Sequence, residues 1–213
     1  MTNTIYIVRH GQTEWNLLGK TQGHGNSDLT PKGIEQAELL ADSMTKYPID
    51  YIYSSDLGRA YQTAEIIGNK LNIEVEKTEA LREMNFGTWE GRIIKDIIEE
   101  DPELYKMWRN EPHIAKIPQG ETLSQIKERT DAFIKEINEK YDGKHIVLVT
   151  HSLCARIMLL SFLDSSVQNI YRINQGNTAL NIIELRDYGP VVMKMNDTTH
   201  IINDTKLENS ALE

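Results

Sequence analysis

Short apolar, β-branched runs alternate along this chain with amphipathic segments of helical period, and that alternation restricts it to an α/β architecture. Residues 5–8 form an apolar run that stops abruptly at Arg9, His10 and Gly11, as a buried strand feeding a loop does. Thr30 then reads as a helix cap with Pro31 at the first helical position, and Ile34, Ala37, Ala41 and Met44 recur at helical spacing as far as Tyr47 and Pro48. Residues 51–53 read as a second strand. After it, Ser55 or Asp56 is placed to cap a helix carrying Ala60, Ala64, Ile67 and Leu71. A third strand is expected near residues 73–75. Leu123, Ile126, Thr130, Phe133, Ile137 and Tyr141 share one face of a long helix, which leads through Asp142 and Gly143 to a strand at 146–149 and a helix at about 154–163. Residues 179–185 and 191–195 read as a terminal pair of strands. The expected fold is therefore α/β, a mainly parallel sheet covered by helices on both faces.

Residues 92–120 break this rhythm. They hold a short helix near 93–98 and then Pro102, Pro112, Pro118 and Gly120, too irregular for a core layer and placed like an insertion over a site, a candidate lid. No repeat or low-complexity linker divides the chain, and 213 residues suit one domain, so residues 1–203 read as a single domain followed by a polar tail at 204–213.

With 23 Lys and Arg against 32 Asp and Glu, the net charge of −9 disfavours nucleic acid and anionic membranes as partners. The single cysteine, Cys154, excludes an intramolecular disulfide and a cysteine-rich metal site, which suits a reducing compartment. No stretch reaches the roughly 18 apolar residues of a membrane span, and the first residues lack a secretory pattern, so a cytoplasmic protein is expected. A homo-oligomer stays open, because nothing in the sequence locates an interface.

Ligands of open α/β sheets bind beyond the carboxyl ends of the strands. Three polar clusters stand there: Arg9-His10-Gly11, Ser54 to Arg59, and Thr150-His151-Ser152. Taken singly, a histidine after a strand is more often structural and a helix-borne arginine is usually a solvated ion pair. Together they bring two guanidinium groups and two imidazoles to one edge. Guanidinium groups match phosphate oxygens bidentately, so Arg9 and Arg59 point to a phosphoryl group, and a neutral imidazole of His10 or His151 can accept that group as a nucleophile. No cofactor is expected. Gly23-His24-Gly25 lacks the spacing of a dinucleotide fingerprint, and His24, His113, His145 and His200 form no zinc pattern. Ser152 lacks the small neighbours of a nucleophile elbow, with Thr150 and Cys154 beside it. Trp15, Trp89 and Trp108 read as packing residues.

The run Arg9-His10-Gly11-Gln12-Thr13-Glu14-Trp15-Asn16 resembles the signature of the histidine phosphatase superfamily, which includes cofactor-dependent phosphoglycerate mutases and many phosphomonoesterases. Leu29-Thr30-Pro31-Lys32-Gly33, Ser54 to Ala60 with Thr63 and Ala64, Leu81-Arg82-Glu83 and Val149-Thr150-His151 are similar to further blocks of that family, so the resemblance covers about residues 4–200. It implies a phosphoglycerate mutase-like fold, with His10 as the phosphorylated nucleophile. Arg9, Arg59 and His151 would form the phosphate pocket, with Glu83 as proton donor to the leaving oxygen. Asn16 and Gln22 would add neutral hydrogen bonds, and Ser152 would help through its backbone N–H. The residues alone do not separate Glu83 from Glu79 or Glu90.

The resemblance implies a metal-independent phosphomonoesterase. Met84-Asn85-Phe86-Gly87 stands where mutases carry Arg-x-Tyr-Gly, and the stretch from Glu83 to Gly91 looks more like α-ribazole phosphatases and broad-specificity phosphatases. An apolar Phe86 then favours a less charged substrate such as α-ribazole 5'-phosphate. Residues 108–121, Asn177, Thr178 and His200 also resemble metal-independent phosphoserine phosphatases, which carry His where Phe86 stands; Asn177 joins the substrate-binding candidates on that ground. The alternatives are a phosphoglycerate mutase, a phosphoserine phosphatase, and a phosphate-binding regulator without turnover, which would lack one or more of the five catalytic candidates.

Overall fold

The computed structural model describes residues 2–201. Among them, six strands form one sheet: β1 (Asn3–Arg9), β2 (Tyr51–Ser55), β3 (Val75–Thr78), β4 (His145–Thr150), β5 (Leu180–Arg186) and β6 (Gly189–Asp197), in the order β3-β2-β4-β1-β5-β6. The four strands from β3 to β1 run parallel, and β5 and β6 complete the edge as an antiparallel hairpin. The sheet is thus mostly parallel and flanked by helices, as expected. The tail proposed for 204–213 lies outside the described residues.

Side-chain alternation explains the layering. Ile5 and Ile7 of β1 and Ile146 and Leu148 of β4 join one apolar cluster, whereas Tyr6, Val8, Val147 and Val149 join another on the opposite face. The second face is covered by α2 (Pro31–Met44) and α3 (Gly58–Leu71) through Leu40, Ala41, Met44, Ala60, Ala64 and Ile67. The first is covered by α6 (Leu123–Lys140) and α7 (Ser152–Phe162). Strands covered on both faces need apolar side chains at every position, which is why β1 and β4 read as continuous apolar runs. Among the described residues the remaining α-helices are α1 (Glu14–Leu17), α4 (Ile94–Glu100) and α5 (Pro102–Asn110).

Thr30 caps α2 by accepting the Gly33 N–H, with Pro31 following, as the sequence predicts. Two local expectations are corrected. The third strand starts at Val75 rather than 73, because Asn72 takes a left-handed conformation to end α3 and the Ile73 N–H still bonds the helix at Gly68. Neither Ser55 nor Asp56 is the cap of α3; Leu57 holds that position without a side-chain bond. Asp56 is instead held by Arg82 at 2.7 Å, and Ser55 faces His151.

The segment 92–120 also packs side chains of its own into the core. Trp108, fully buried, packs edge-on against Phe86 and Trp89, at ring separations of 5.9 and 6.5 Å, and Ile97, Ala115 and Ile117 join the same cluster. Its prolines and turns shape the backbone, but its aromatic and β-branched side chains belong to the core.

Candidate active site

Parallel strands deliver their carboxyl ends to one edge, and the register fixes what meets there: Arg9 pairs with Thr150, and Ser54 with Val149. His10 and His151 therefore follow adjacent strands. Their rings lie edge to face with centroids 5.1 Å apart, and both residues are buried. The His10 Nδ1–H donates to the Gly11 carbonyl at 2.7 Å, while the Arg59 Nε–H donates to His10 Nε2 at 3.3 Å. Because an imidazole nitrogen that accepts carries the lone pair, these two bonds select the tautomer with a nucleophilic Nε2. Burial and the charges of Arg59 and Arg9 hold the His10 pKa well below its ordinary value, with the Gly11 bond opposing. The ring is neutral near pH 7. His151 is likewise depressed, by burial and then by Arg59 and His10, and its Nε2 meets the Ser55 hydroxyl at 2.9 Å.

Arg59 is 1% exposed, and three backbone carbonyls fix its guanidinium: Gly23 at 2.8 Å, Gly25 at 3.0 Å and Gln22 at 3.4 Å. Burial lowers its pKa to about 10, which leaves it cationic at neutral pH. The loop that supplies these carbonyls is itself clipped by the Glu90 carboxylate, which accepts the N–H groups of His24 (2.8 Å), Gly25 (3.0 Å) and Phe86 (3.1 Å). The loop after β1 also lies hard against α2. A Cβ on Gly33 would stand 2.0 Å from the Gln12 carbonyl oxygen, and one on Gly11 would stand 2.4 Å from that of Gly33. Only glycine permits this approach.

Glu83, 5% exposed, faces the same cleft. Its carboxylate is aimed by the first turn of α7, accepting from Leu153 N–H and Cys154 N–H, both at 3.2 Å, and from Met84 N–H at 3.0 Å. Its carbonyl is held by Arg129 (3.2 Å) and lies 3.0 Å from His24 Nε2, and Thr150 anchors the preceding turn through the Leu81 carbonyl at 2.7 Å. Glu79 is exposed and Glu90 is occupied with backbone amides, so geometry separates Glu83 from both.

An open-mouthed cleft with about 460 Å³ of empty space lies over His10 and Glu83, while Arg59 and His151 stand behind its lining. Arg9, His10, Asn16, Gln22, Glu83, Phe86 and Ser152 line it. Gln22 Nε2 and the Ser152 hydroxyl are buried there without a hydrogen-bond partner, which is the state of donors built for a ligand. Asn16 commits its side-chain oxygen to the Thr13 N–H and to Asn177. Asn177 stands behind the cleft, donating to the His10 carbonyl at 3.2 Å and to Asn16 at 3.4 Å.

The family model of the histidine phosphatase superfamily (branch 1) matches residues 5–198. The chain belongs to that superfamily. It is 32% identical over 197 residues to phosphoserine phosphatase 1 of Hydrogenobacter thermophilus, covering 92% of this chain and 93% of the relative. Among solved structures it is similar to YhfR of Bacillus stearothermophilus, with a TM-score of 0.89 and 29% identity over 93% of this chain and 99% of that one. It is also similar to the α-ribazole phosphatase of Shigella flexneri, with a TM-score of 0.84 and 26% identity over 92% and 96%.

In this histidine phosphatase most of the candidate site stands at strand ends, but two cationic residues of the cleft escaped the sequence reading. Lys20 and Arg156 line the cleft as well. Arg156 left a signal, since it is a lone cation within the otherwise apolar run 153–160 of α7. Lys20 left none, because a lysine in a polar loop looks like any solvated residue. Glu90 was visible only as a candidate acid, and its clip becomes apparent once the loop 23–25 is folded against it.

Proposed function

We propose that this histidine phosphatase hydrolyses small-molecule phosphate monoesters in two displacements through phospho-His10, without a metal. One observation carries the reading: a buried neutral His10, with Arg59 donating to its Nε2 from behind, lines a cleft that Arg9 and Glu83 also line. In the first step Nε2 bonds to phosphorus, the ester P–O bond breaks, and the Glu83 carboxyl gives its proton to the leaving oxygen. In the second, a water loses its proton to the Glu83 carboxylate and attacks phosphorus, the P–N bond breaks, and inorganic phosphate departs. Splitting the reaction replaces one difficult attack by water with two easier transfers. Arg9 and Arg59 stabilise the charge on the equatorial oxygens, and Gln22, Ser152 and Asn16 add neutral donors. His151 closes the pocket beside His10, and Asn177 is a positioning residue behind it. α-Ribazole 5'-phosphate and phosphoserine are candidate substrates on the strength of the relatives.

The test is phosphate release from p-nitrophenyl phosphate, phosphoserine, α-ribazole phosphate and 3-phosphoglycerate in excess EDTA, with wild type and His10→Ala. Wild type turns over at least one ester and forms an acid-labile, base-stable phosphoryl adduct; His10→Ala loses at least ~1000-fold in kcat and forms no adduct. Undiminished turnover by His10→Ala would falsify the phosphohistidine route. Isomerisation of 3-phosphoglycerate that needs a bisphosphorylated primer, with little phosphate released, would identify a mutase.

A further inference from the structure

The turn that carries Glu83 is tied down at nearly every residue, and α6 supplies the ties nearest to Glu83 itself. Leu81 and Arg82 are fixed from the sheet side, by the Thr150 hydroxyl and the Asp56 carboxylate. From α6, Arg129 spreads its guanidinium over three acceptors: Nη1 donates to the Ala80 carbonyl at 2.7 Å, Nη2 to the Glu83 carbonyl at 3.2 Å, and Nε to the Glu121 carboxylate at 3.1 Å. Glu121, just ahead of the Thr122 cap, accepts the Asn85 N–H at 2.9 Å, and its own N–H donates to the Asn85 carbonyl at 2.8 Å. The pair therefore brackets Glu83, with its carbonyl on one side and residue 85 on the other. The Glu83 carboxylate, in turn, accepts from the first amides of α7. One helix sets the backbone of this residue and the other aims its carboxyl.

Neither Arg129 nor Glu121 is among the residues that line the cleft. A side chain needed only to cover the turn could be apolar, because a partly buried ion pair gains little over a well-packed isostere. An apolar side chain cannot supply direction. A rigid fork of donors holds two carbonyls and a carboxylate at fixed angles to one another. Such direction matters most for proton transfer, where the acid must come within about 2.6–3.2 Å of the oxygen it protonates and small misplacements are felt in the rate.

We propose that Arg129 and Glu121 are positioning residues for proton donation: together they set the Glu83 backbone so that its carboxyl, aimed by α7, reaches the leaving oxygen of the ester. This rests on the phosphomonoesterase reading with Glu83 as the proton donor, and it extends that reading to two residues outside the cleft.

The experiment reads leaving-group dependence on p-nitrophenyl, phenyl and benzyl phosphate, which share a ring but release increasingly basic oxygens. Nitrophenolate departs as a stable anion without a proton, whereas the benzyl alkoxide needs one. The readout is kcat/KM, which covers the step in which the ester bond breaks, for wild type, Arg129→Gln, Arg129→Lys, Glu121→Gln and Glu83→Gln. Arg129→Gln should lose at least ~30-fold on benzyl phosphate but under ~3-fold on p-nitrophenyl phosphate, with phenyl phosphate between, a pattern that follows Glu83→Gln at reduced amplitude. Arg129→Lys, which keeps the charge and can reach one carbonyl, should recover part of the loss. Glu121→Gln, which keeps an oxygen for the Asn85 N–H, should show the same slope more weakly. A merely structural role has no such slope. An Arg129→Gln protein that loses all three esters by one factor, or loses none, overturns the proposal. If Arg129→Gln does not fold, Glu121→Gln is read in the same way, and a uniform loss or no loss there is decisive against it. Failure of the underlying reading looks different: Glu83→Gln itself then falls equally on all three esters, or wild type turns over none of them.

Discussion

A protonated imidazole has no lone pair to attack with, so on the proposed route the proton count on His10 governs whether the cleft can open a phosphate ester. Burial comes first in suppressing that proton and the two flanking guanidiniums reinforce it, so the His10 pKa lies well below 6.5. The same cations that are proposed to bind the phosphoryl group thereby keep the proposed nucleophile unprotonated. The Cε1–H proton resonance of His10, followed by NMR in phosphate-free buffer, should stay at its neutral-imidazole position from pH 8 to about 6, where an ordinary histidine is already largely protonating. A midpoint at 6.5 or above would mean that neither burial nor Arg59 acts on the ring. NMR is preferable to a rate profile because the substrate's own second phosphate ionisation falls near pH 6. Arg9, His10, Arg59 and His151 are legible in the sequence because they cluster around the carboxyl ends of β1, β2 and β4, where topology alone brings chemistry together. Glu83 is not legible that way. Its place depends on amides of α7 some seventy residues later, a relation that no local pattern encodes.

At the scale of elements, the strands and the long helices follow from period-two and period-3.6 patterns, and what the patterns miss is the segment 92–120. Proline and glycine signal turns, and turns suggest a loop, yet the aromatic side chains between them decide the packing. Trp108 is fully enclosed, touching Phe86, Trp89 and Tyr171 edge to face. It therefore ties α5 to the substrate wall and, through Phe86, to the backbone that carries Glu83. Removing the indole leaves a large cavity in a close-packed cluster, so Trp108→Ala should cost about 3–5 kcal/mol in urea unfolding. A segment resting loosely on the surface would lose under about 1 kcal/mol, the usual range for exposed positions, and that result would show that Trp108 does not anchor it. The Glu90 clip is the companion device. By holding the N–H groups of His24, Gly25 and Phe86 at once, it locks the loop behind Arg59 to the segment after Glu83, so the His10 side and the Glu83 side of the cleft share one support.

For the whole molecule, acid has two opposing effects. A chain of net charge −9 becomes less self-repelling as protons are added, which by itself favours the compact state. Against this stand histidines folded in their neutral form. His10 and His151 are held well below 6.5, chiefly by burial, and His200, beside the Thr178 hydroxyl, is lowered to about 4, again chiefly by burial. Below pH 6.5 the unfolded chain takes up these protons while the folded chain refuses them, so stability is complete above 6.5 and declines as pH falls toward the folded values. Each such histidine contributes a slope of up to about 1.4 kcal/mol per pH unit, and several together should outweigh the relief of repulsion. Asp197 does not confuse the reading, because its pKa, brought to about 2 by Lys194 and Thr199 against the effect of burial, places its loss between 3.8 and 2. Urea unfolding at pH 7, 6 and 5 should therefore show falling stability, with a shallower fall in His200→Gln. A stability that stays flat or rises across that range would show that charge repulsion dominates and that the buried imidazoles take up protons in the folded protein as readily as in the unfolded chain. That outcome would also remove the electrostatic basis for a neutral nucleophile at position 10.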